Sequence, residues 1–245
     1  MTKMKIEIWS DIACPYCYIG KRKLEAALKQ FPHANEVELE WHSYELNSAL
    51  PKKALGKSFY QYFAENHGVT TDKAKDMLAG MVKLAKEQGL DYNFDKLVVT
   101  NTSDALRLVK LAKKYNLADQ AEEVLFEAYF TEGKNISDRA TLVALGTQIG
   151  LKEADINSLL DGKEYLDEIE KDIRYSEDEL KLEYIPFYRF NNKNIIEGSI
   201  EVEKYLQVLT DSYNEWKKDG VSSSGSGGSR TNGQACSIDG VCSID

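Results

Sequence analysis

The chain has 245 residues, 42% of them apolar and 29% charged, a composition that fits a folded globular protein with length enough for a sizeable core. Its 31 Lys and Arg against 40 Asp and Glu give a net charge of −9, which argues against nucleic acid or an anionic membrane surface as a partner. The opening MTKMKIEIWSDIAC lacks the apolar centre and small-residue cleavage site of a secretory signal, and no apolar run is long enough for a transmembrane helix, so the expectation is a cytoplasmic protein.

Residues 5–10, KIEIWS, alternate apolar and polar and predict a first strand. A helix is expected to start near Cys14 and Pro15 and to run to Phe31, with Leu24, Ala27, Leu28 and Phe31 as its apolar stripe. EVELEWHSYEL alternates again, with Val37, Leu39 and Trp41 on one side, and reads as a second strand, so the chain opens as a βαβ unit. The period then becomes helical throughout the middle of the chain. SFYQYFAENHGV and MLAGMVKLAKEQGL carry aromatic, Met and Leu residues at helical spacing; core packing is the default reading and a substrate-facing lining the lesser one. Ala105, Leu108, Val109 and Ala112 share a face of the next helix, and Ala121, Val124, Leu125 and Ala128 a face of one ending at Gly133. A Ser137-Asp138 cap opens another helix that stops at Gly150, and a further helix covers residues 162–180. Strands return as YIPFYRF and NIIEGS, followed by a final helix over residues 200–218.

This order predicts an α/β fold in which a first part (1–50) and a second part (179–219) form one domain around an inserted helical domain (51–178). Residues 220–245, rich in Ser and Gly and without aromatic residues, read as a flexible tail.

The four cysteines form two local pairs, Cys14/Cys17 and Cys236/Cys242, which in a reducing compartment suggests redox exchange or metal binding over cross-linking. Cys14 falls at the expected helix N-cap and Pro15 at the first helical position, where a missing N–H costs nothing. Cys17 lies one turn on, on the same face, close enough for a short disulfide. Unpaired N–H groups and the positive end of the helix favour an anion there, so Cys14 is expected to ionise readily and attack, and the more buried Cys17 to resolve. Two inert buried thiols or half of a zinc site are the weaker alternatives. A Pro-Tyr insert at a strand-to-helix junction is hard to explain by packing, and Cys236/Cys242 is spaced too widely for a typical zinc pair. Asp11 is a turn or capping residue, with proton acceptor during exchange as the second reading. Tyr16, between the cysteines, brings no positive charge to the thiolate. His33, His42 and His67 are scattered without ligand spacing, and no metal or organic cofactor is expected. CSIDGVC holds an Asp-Gly turn between cysteines, so Cys236 and Cys242 are expected to form a second redox pair that the tail delivers to Cys14. An idle or metal-binding tail, or an engineered linker, are the competing readings.

The stretches SDIACPYCYIGKRKLE, NTSDALRLVKLAKKYNLADQ, LFEAYFTEGKNISD and YIPFYRFNNKNIIEGS resemble the thioredoxin superfamily, within it the DsbA-like proteins with a helical insertion, and more narrowly the cytosolic FrnE type. The resemblance implies a thioredoxin fold and thiol-disulfide oxidoreductase activity on a cysteine-containing protein or a small thiol such as glutathione as co-substrate. It also implies a cis Ile185–Pro186 bond facing the cysteines, with Ile185 pairing to an extended substrate strand. FrnE-like chains often end in a cysteine pair, though at a spacing one residue shorter than here. Hydroxychromene-carboxylate isomerases and kappa-class glutathione transferases share the inserted fold and are the rival reading, weakened by Cys17, which those relatives generally lack. A peptide-binding or holdase module is the rival outside enzymes. The oligomeric state is left open.

Overall fold

The computed structural model describes residues 3–219, 228–238 and 241–242. β1 (Met4–Ser10) runs parallel to β2 (Val37–Ser43), in register from Met4 opposite Val37 to Ser10 opposite Ser43. Every β1 residue except Lys5 is buried, as expected of an inner strand covered on both faces. Between the two strands lies α1 (Pro15–Gln30), with Cys14 at the N-cap position, its side chain making no capping bond, and Pro15 at the first helical position, where a proline is at home.

The middle of the chain is helical: α2 (Phe59–His67), α3 (Thr71–Glu87), α4 (Ser103–Lys113), α5 (Ala118–Phe126), α6 (Arg139–Gln148), α7 (Glu153–Asp161) and α8 (Leu166–Asp178). Side-chain caps start several of them. Ser58 and Gln61 form a capping box, and Thr70 and Asp138 accept the N–H groups of Lys73 and Thr141. α5 widens into a π-turn at Glu127–Thr131 before the chain bends at Gly133. The sequence pattern does not single out α7, a short helix that buries only Ile156 and Leu159.

The expected strand over 184–190 is two strands. Pro186 has no N–H to continue a ladder, so β3 (Tyr184–Ile185) leaves the sheet while β4 (Phe187–Phe190) joins it antiparallel to β1, Ile8 facing Tyr188. Glu7 and Arg189, opposite each other in that register, form a two-pronged ion pair with both contacts at 2.7 Å. β5 (Asn194–Glu197) pairs antiparallel with β4, and α9 (Val202–Asp219) packs on β4 and α1, while α8 and α5 pack on β2.

The flexible tail requires correction over residues 228–238. β6 (Arg230–Asn232) adds to the sheet parallel to β5, giving the order β2-β1-β4-β5-β6, and β7 (Cys236–Ser237) pairs antiparallel with β3. Backbone pairing holds this segment: Ser199 and Gln234 exchange N–H···O bonds of 2.7 and 3.0 Å, and Gly233 N–H donates to the Glu197 carbonyl at 2.6 Å. Arg230 adds an ion pair of 3.1 Å to the buried Glu197. The Ser/Gly run at 220–227, on which the expected flexibility chiefly rests, lies outside the described residues.

Candidate active site

Where β1 ends, the chain must turn from strand into helix, and Asp11 builds that turn. Its Oδ1 accepts the Ala13 N–H at 3.2 Å and its Oδ2 the Leu46 N–H at 2.8 Å, while its backbone carbonyl accepts the Cys14 N–H at 3.0 Å. Thr102, at the start of α4, lines the same cleft as Asp11 and favours the charged form of its carboxyl. Asp11 therefore ties the approach to Cys14 to the segment after β2. Burial pushes its carboxyl up to about 6, against the hydrogen bonds that favour the charged form. Burial and then the nearby Asp11 push Glu45 up to about 7.

Cys14 sits in extended backbone at the head of α1, and the Cys17 N–H donates to its carbonyl at 3.1 Å. Both are free thiols and both are buried. Cys14 Sγ approaches the carbonyl oxygen of Ile185 at 3.8 Å, and the Ile185–Pro186 bond is cis. Burial, and after it the adjacent Cys14 thiol, push the Cys17 thiol well above its ordinary range. Cys17 is thus held as a thiol at neutral pH.

The helical block braces α1. Tyr92 donates to the Pro15 carbonyl at 2.6 Å, and Tyr18 donates to Glu123 at 2.8 Å while stacking on Phe126 at 4.9 Å. Arg22 joins the same carboxylate; against the cost of burial, Arg22 and Lys21 hold Glu123 down to about 2. On its other side α1 presents Gly20 to Pro186 and Tyr188. These partners were not foreseen, because Tyr92, Thr102 and Glu123 reach the site from segments whose pattern reports only helix or loop. Tyr188 was within reach: it follows Pro186 at the strand period, which places it on the same side.

Of the residues singled out from sequence, Cys14, Cys17, Asp11, Ile185 and Pro186 come together. The distant pair joins them. Cys236 lies opposite Ile185 and is bonded to Cys242 with an S–S length of 2.01 Å. Cys242 lines, with Asp11, Ala13 and Pro15, a cleft of about 160 Å³ whose far wall includes Phe63 and Met81. The two helical segments thus supply both core and cleft lining. Of the histidines, His67 also lines this cleft, while His33 and His42 stand elsewhere. His42 Nδ1 lies 2.9 Å from Asp172, His67 contacts the Phe63 carbonyl, and His33 stacks on Tyr213. Among the described residues no group of three or more His, Cys, Asp or Glu is arranged to hold a metal ion, and no helix is long and apolar enough to cross a membrane.

A family model described as a DSBA-like thioredoxin domain matches residues 5–210. An uncharacterised protein of Bacillus subtilis (strain 168), YwbO, is 25% identical over 209 residues, covering 84% of this chain and 96% of its own length. A solved structure of a probable DsbA oxidoreductase from Streptomyces coelicolor superposes with a TM-score of 0.81 at 27% identity, covering 99% of both chains. A cytosolic disulfide reductase, DsbM, from Pseudomonas aeruginosa, solved with GSH, shares the fold with a TM-score of 0.58 at 15% identity, over 89% of this chain and 99% of its own.

Proposed function

The chain belongs to the DSBA-like thioredoxin domain family, with the α/β thioredoxin-like fold and an inserted helical region, and from that premise we propose that it is a thiol-disulfide oxidoreductase of the FrnE type. The observation that carries this reading is the placement of two free thiols one helical turn apart at the head of α1, with the Ile185 carbonyl over the first. In the proposed cycle the Cys14 thiolate attacks one sulfur of a substrate disulfide, and the other sulfur leaves as a thiolate and takes a proton. Cys17 then loses its proton and attacks the Cys14 sulfur, releasing the second substrate thiol. The substrate gains two electrons and two protons, Cys14 and Cys17 become the disulfide, and the reverse sequence oxidises a dithiol. Ile185 and Pro186 position the substrate beside Cys14. Asp11 holds the turn, and its raised affinity for a proton suits it to accept the one that Cys17 gives up.

The Cys236–Cys242 disulfide is proposed as a second redox pair. Its supporting observation is that Cys236 faces Ile185, the residue whose carbonyl faces Cys14. A reduced Cys14/Cys17 pair would pass two electrons to it by the same two exchanges. The experiment is to follow the Cys17→Ser protein by non-reducing mass spectrometry. Cys14 is expected in a mixed disulfide, either with an added disulfide peptide or with Cys236 or Cys242, and Cys14→Ser is expected to abolish exchange. An active Cys14→Ser protein together with a Cys17→Ser protein that traps nothing would reverse or remove these roles.

A further inference from the structure

An attacking thiolate must be reached by the disulfide it attacks, yet Cys14 has 0% of its surface exposed. The segment lying along the neighbouring edge is the chain's own C-terminal strand. Ser237 faces Tyr184, Cys236 faces Ile185, and the Ile238 N–H donates to the Glu183 carbonyl at 3.1 Å. A strand has one row of backbone groups on each edge. An extended polypeptide that adds to the edge of β3 carrying the Glu183 carbonyl, where Cys236 faces Ile185, therefore needs the groups that β7 already uses.

The seat is built to hold this occupant. The buried Glu197 accepts the Glu183 N–H at 3.1 Å with the same oxygen that meets Arg230, so β3 and the C-terminal segment share one carboxylate. Gln234 is fixed to Ser199 from both sides, which brings Ala235 and Cys236 into the interior at 3% and 0% exposure. At the far end Ile238 is 37% exposed.

We propose that residues 235–238 are a resident stand-in for the substrate, which an external polypeptide must displace, and that their register states what such a polypeptide presents. It is an extended segment antiparallel to β3, with a cysteine opposite Ile185 and a small residue just before that cysteine, where the methyl of Ala235 is enclosed. The residue two beyond the cysteine is unrestricted. This inference rests on Cys14 being the attacking thiol.

The test uses the full chain with Cys14 and Cys17 reduced. Two substitutions loosen the occupant: Ala235→Arg puts a long cation where a methyl is buried, and Ile238→Pro removes the N–H that donates to Glu183 at an exposed position, with circular dichroism reporting that each variant is folded. Alkylation of Cys14 by iodoacetamide, read by peptide mass spectrometry, is expected to quicken at least tenfold in Ile238→Pro and in any folded Ala235→Arg protein. A fluorescein-labelled peptide Gln-Ala-Cys-Ser-Ile, its cysteine S-methylated, is expected to bind the loosened protein at least tenfold more tightly than the parent. The same peptide with Arg in place of Ala is expected not to bind. The inference is overturned if the parent's Cys14 reacts as fast as a free thiol, if folded Ile238→Pro reacts no faster than the parent, or if the peptide binds both alike. The S-methylated probe cannot exchange, so its outcome is independent of the electron relay, which fails separately if no Cys14–Cys236 or Cys14–Cys242 species is trapped.

Discussion

Gly20→Ala is a substitution whose local and tertiary effects have opposite signs. Inside a helix, replacing Gly by Ala gains about 1 kcal/mol from backbone entropy. Here the added Cβ would stand 2.4 Å from the Tyr188 hydroxyl and 3.1 Å from Pro186 Cγ. Tyr188 is 1% exposed and meets the Tyr205 ring edge-on at 5.3 Å, so it cannot swing aside, and the Pro186 ring is rigid. Overpacking of this kind costs roughly 1–3 kcal/mol, occasionally more, and the upper end applies where two stiff rings must move. The expected net loss is about 1–2 kcal/mol, which for a slope near 3 kcal/mol/M lowers the urea midpoint by about 0.3–0.7 M. The shift also pushes Pro186 away from α1, so the rate of disulfide exchange is expected to fall with the midpoint. Gly80→Ala in α3 is the internal control, because nothing lies within 4 Å of its added Cβ; it should gain the helical term alone. Equilibrium urea unfolding of both variants, with exchange assayed against a peptide disulfide, decides the matter. A Gly20→Ala protein stabilised like Gly80→Ala, with an unchanged exchange rate, would refute the close approach of α1 to Pro186.

Two further substitutions probe buried charge. Burial pushes Glu122, 1% exposed, up to about 8, with Lys21 opposing and Asp119 adding to the shift. The folded chain keeps a proton that the unfolded chain releases above about 4.5, so this contribution is full below that pH and is lost, at up to about 1.4 kcal/mol per pH unit, as pH rises through about 8. Glu122→Gln should therefore flatten the fall in urea midpoint between pH 5 and pH 8.5, and an unaltered slope would show that the carboxyl is not buried. Lys110 pairs with Asp172, which also receives the Ser43 N–H at 2.8 Å and contacts His42 at 2.9 Å, joining α4, α8 and β2. Lys110→Met leaves a largely buried carboxylate one partner short and should cost about 3 kcal/mol in urea unfolding, whereas a loss below about 1 kcal/mol would place that carboxylate effectively in water.

The first strand, the helix opened by Cys14 and Pro15, and the second strand were legible because each is written in local signals: alternation, a helix-start proline and an apolar stripe. The candidate thiols were legible for the same reason. The split at Pro186 follows from a missing N–H, but from sequence alone the two halves of YIPFYRF look like one strand. The C-terminal segment was misread for a physical reason. Glycine there suggests freedom, yet a Cβ on Gly233 would lie 2.4 Å from the Ser199 carbonyl oxygen, so that glycine permits a close backbone contact that holds the segment in place. Composition carries no record of which distant edge a backbone pairs with. The braces on α1 were hidden in the same way, since Tyr92, Thr102 and Glu123 matter only through contacts made across the fold.

Whether Cys14 and Cys17 form one two-electron couple is read most directly by equilibrating the full chain in glutathione buffers of graded potential. Acid quenching, alkylation and mass spectrometry of the peptide that carries both cysteines then give the reduced fraction. The expected result is a single transition in which both thiols disappear together, with a tenfold change in ratio per about 30 mV and a midpoint between about −270 and −120 mV. Two thiols that stay alkylatable across the whole series, or that are lost one at a time as separate glutathione adducts, would contradict it.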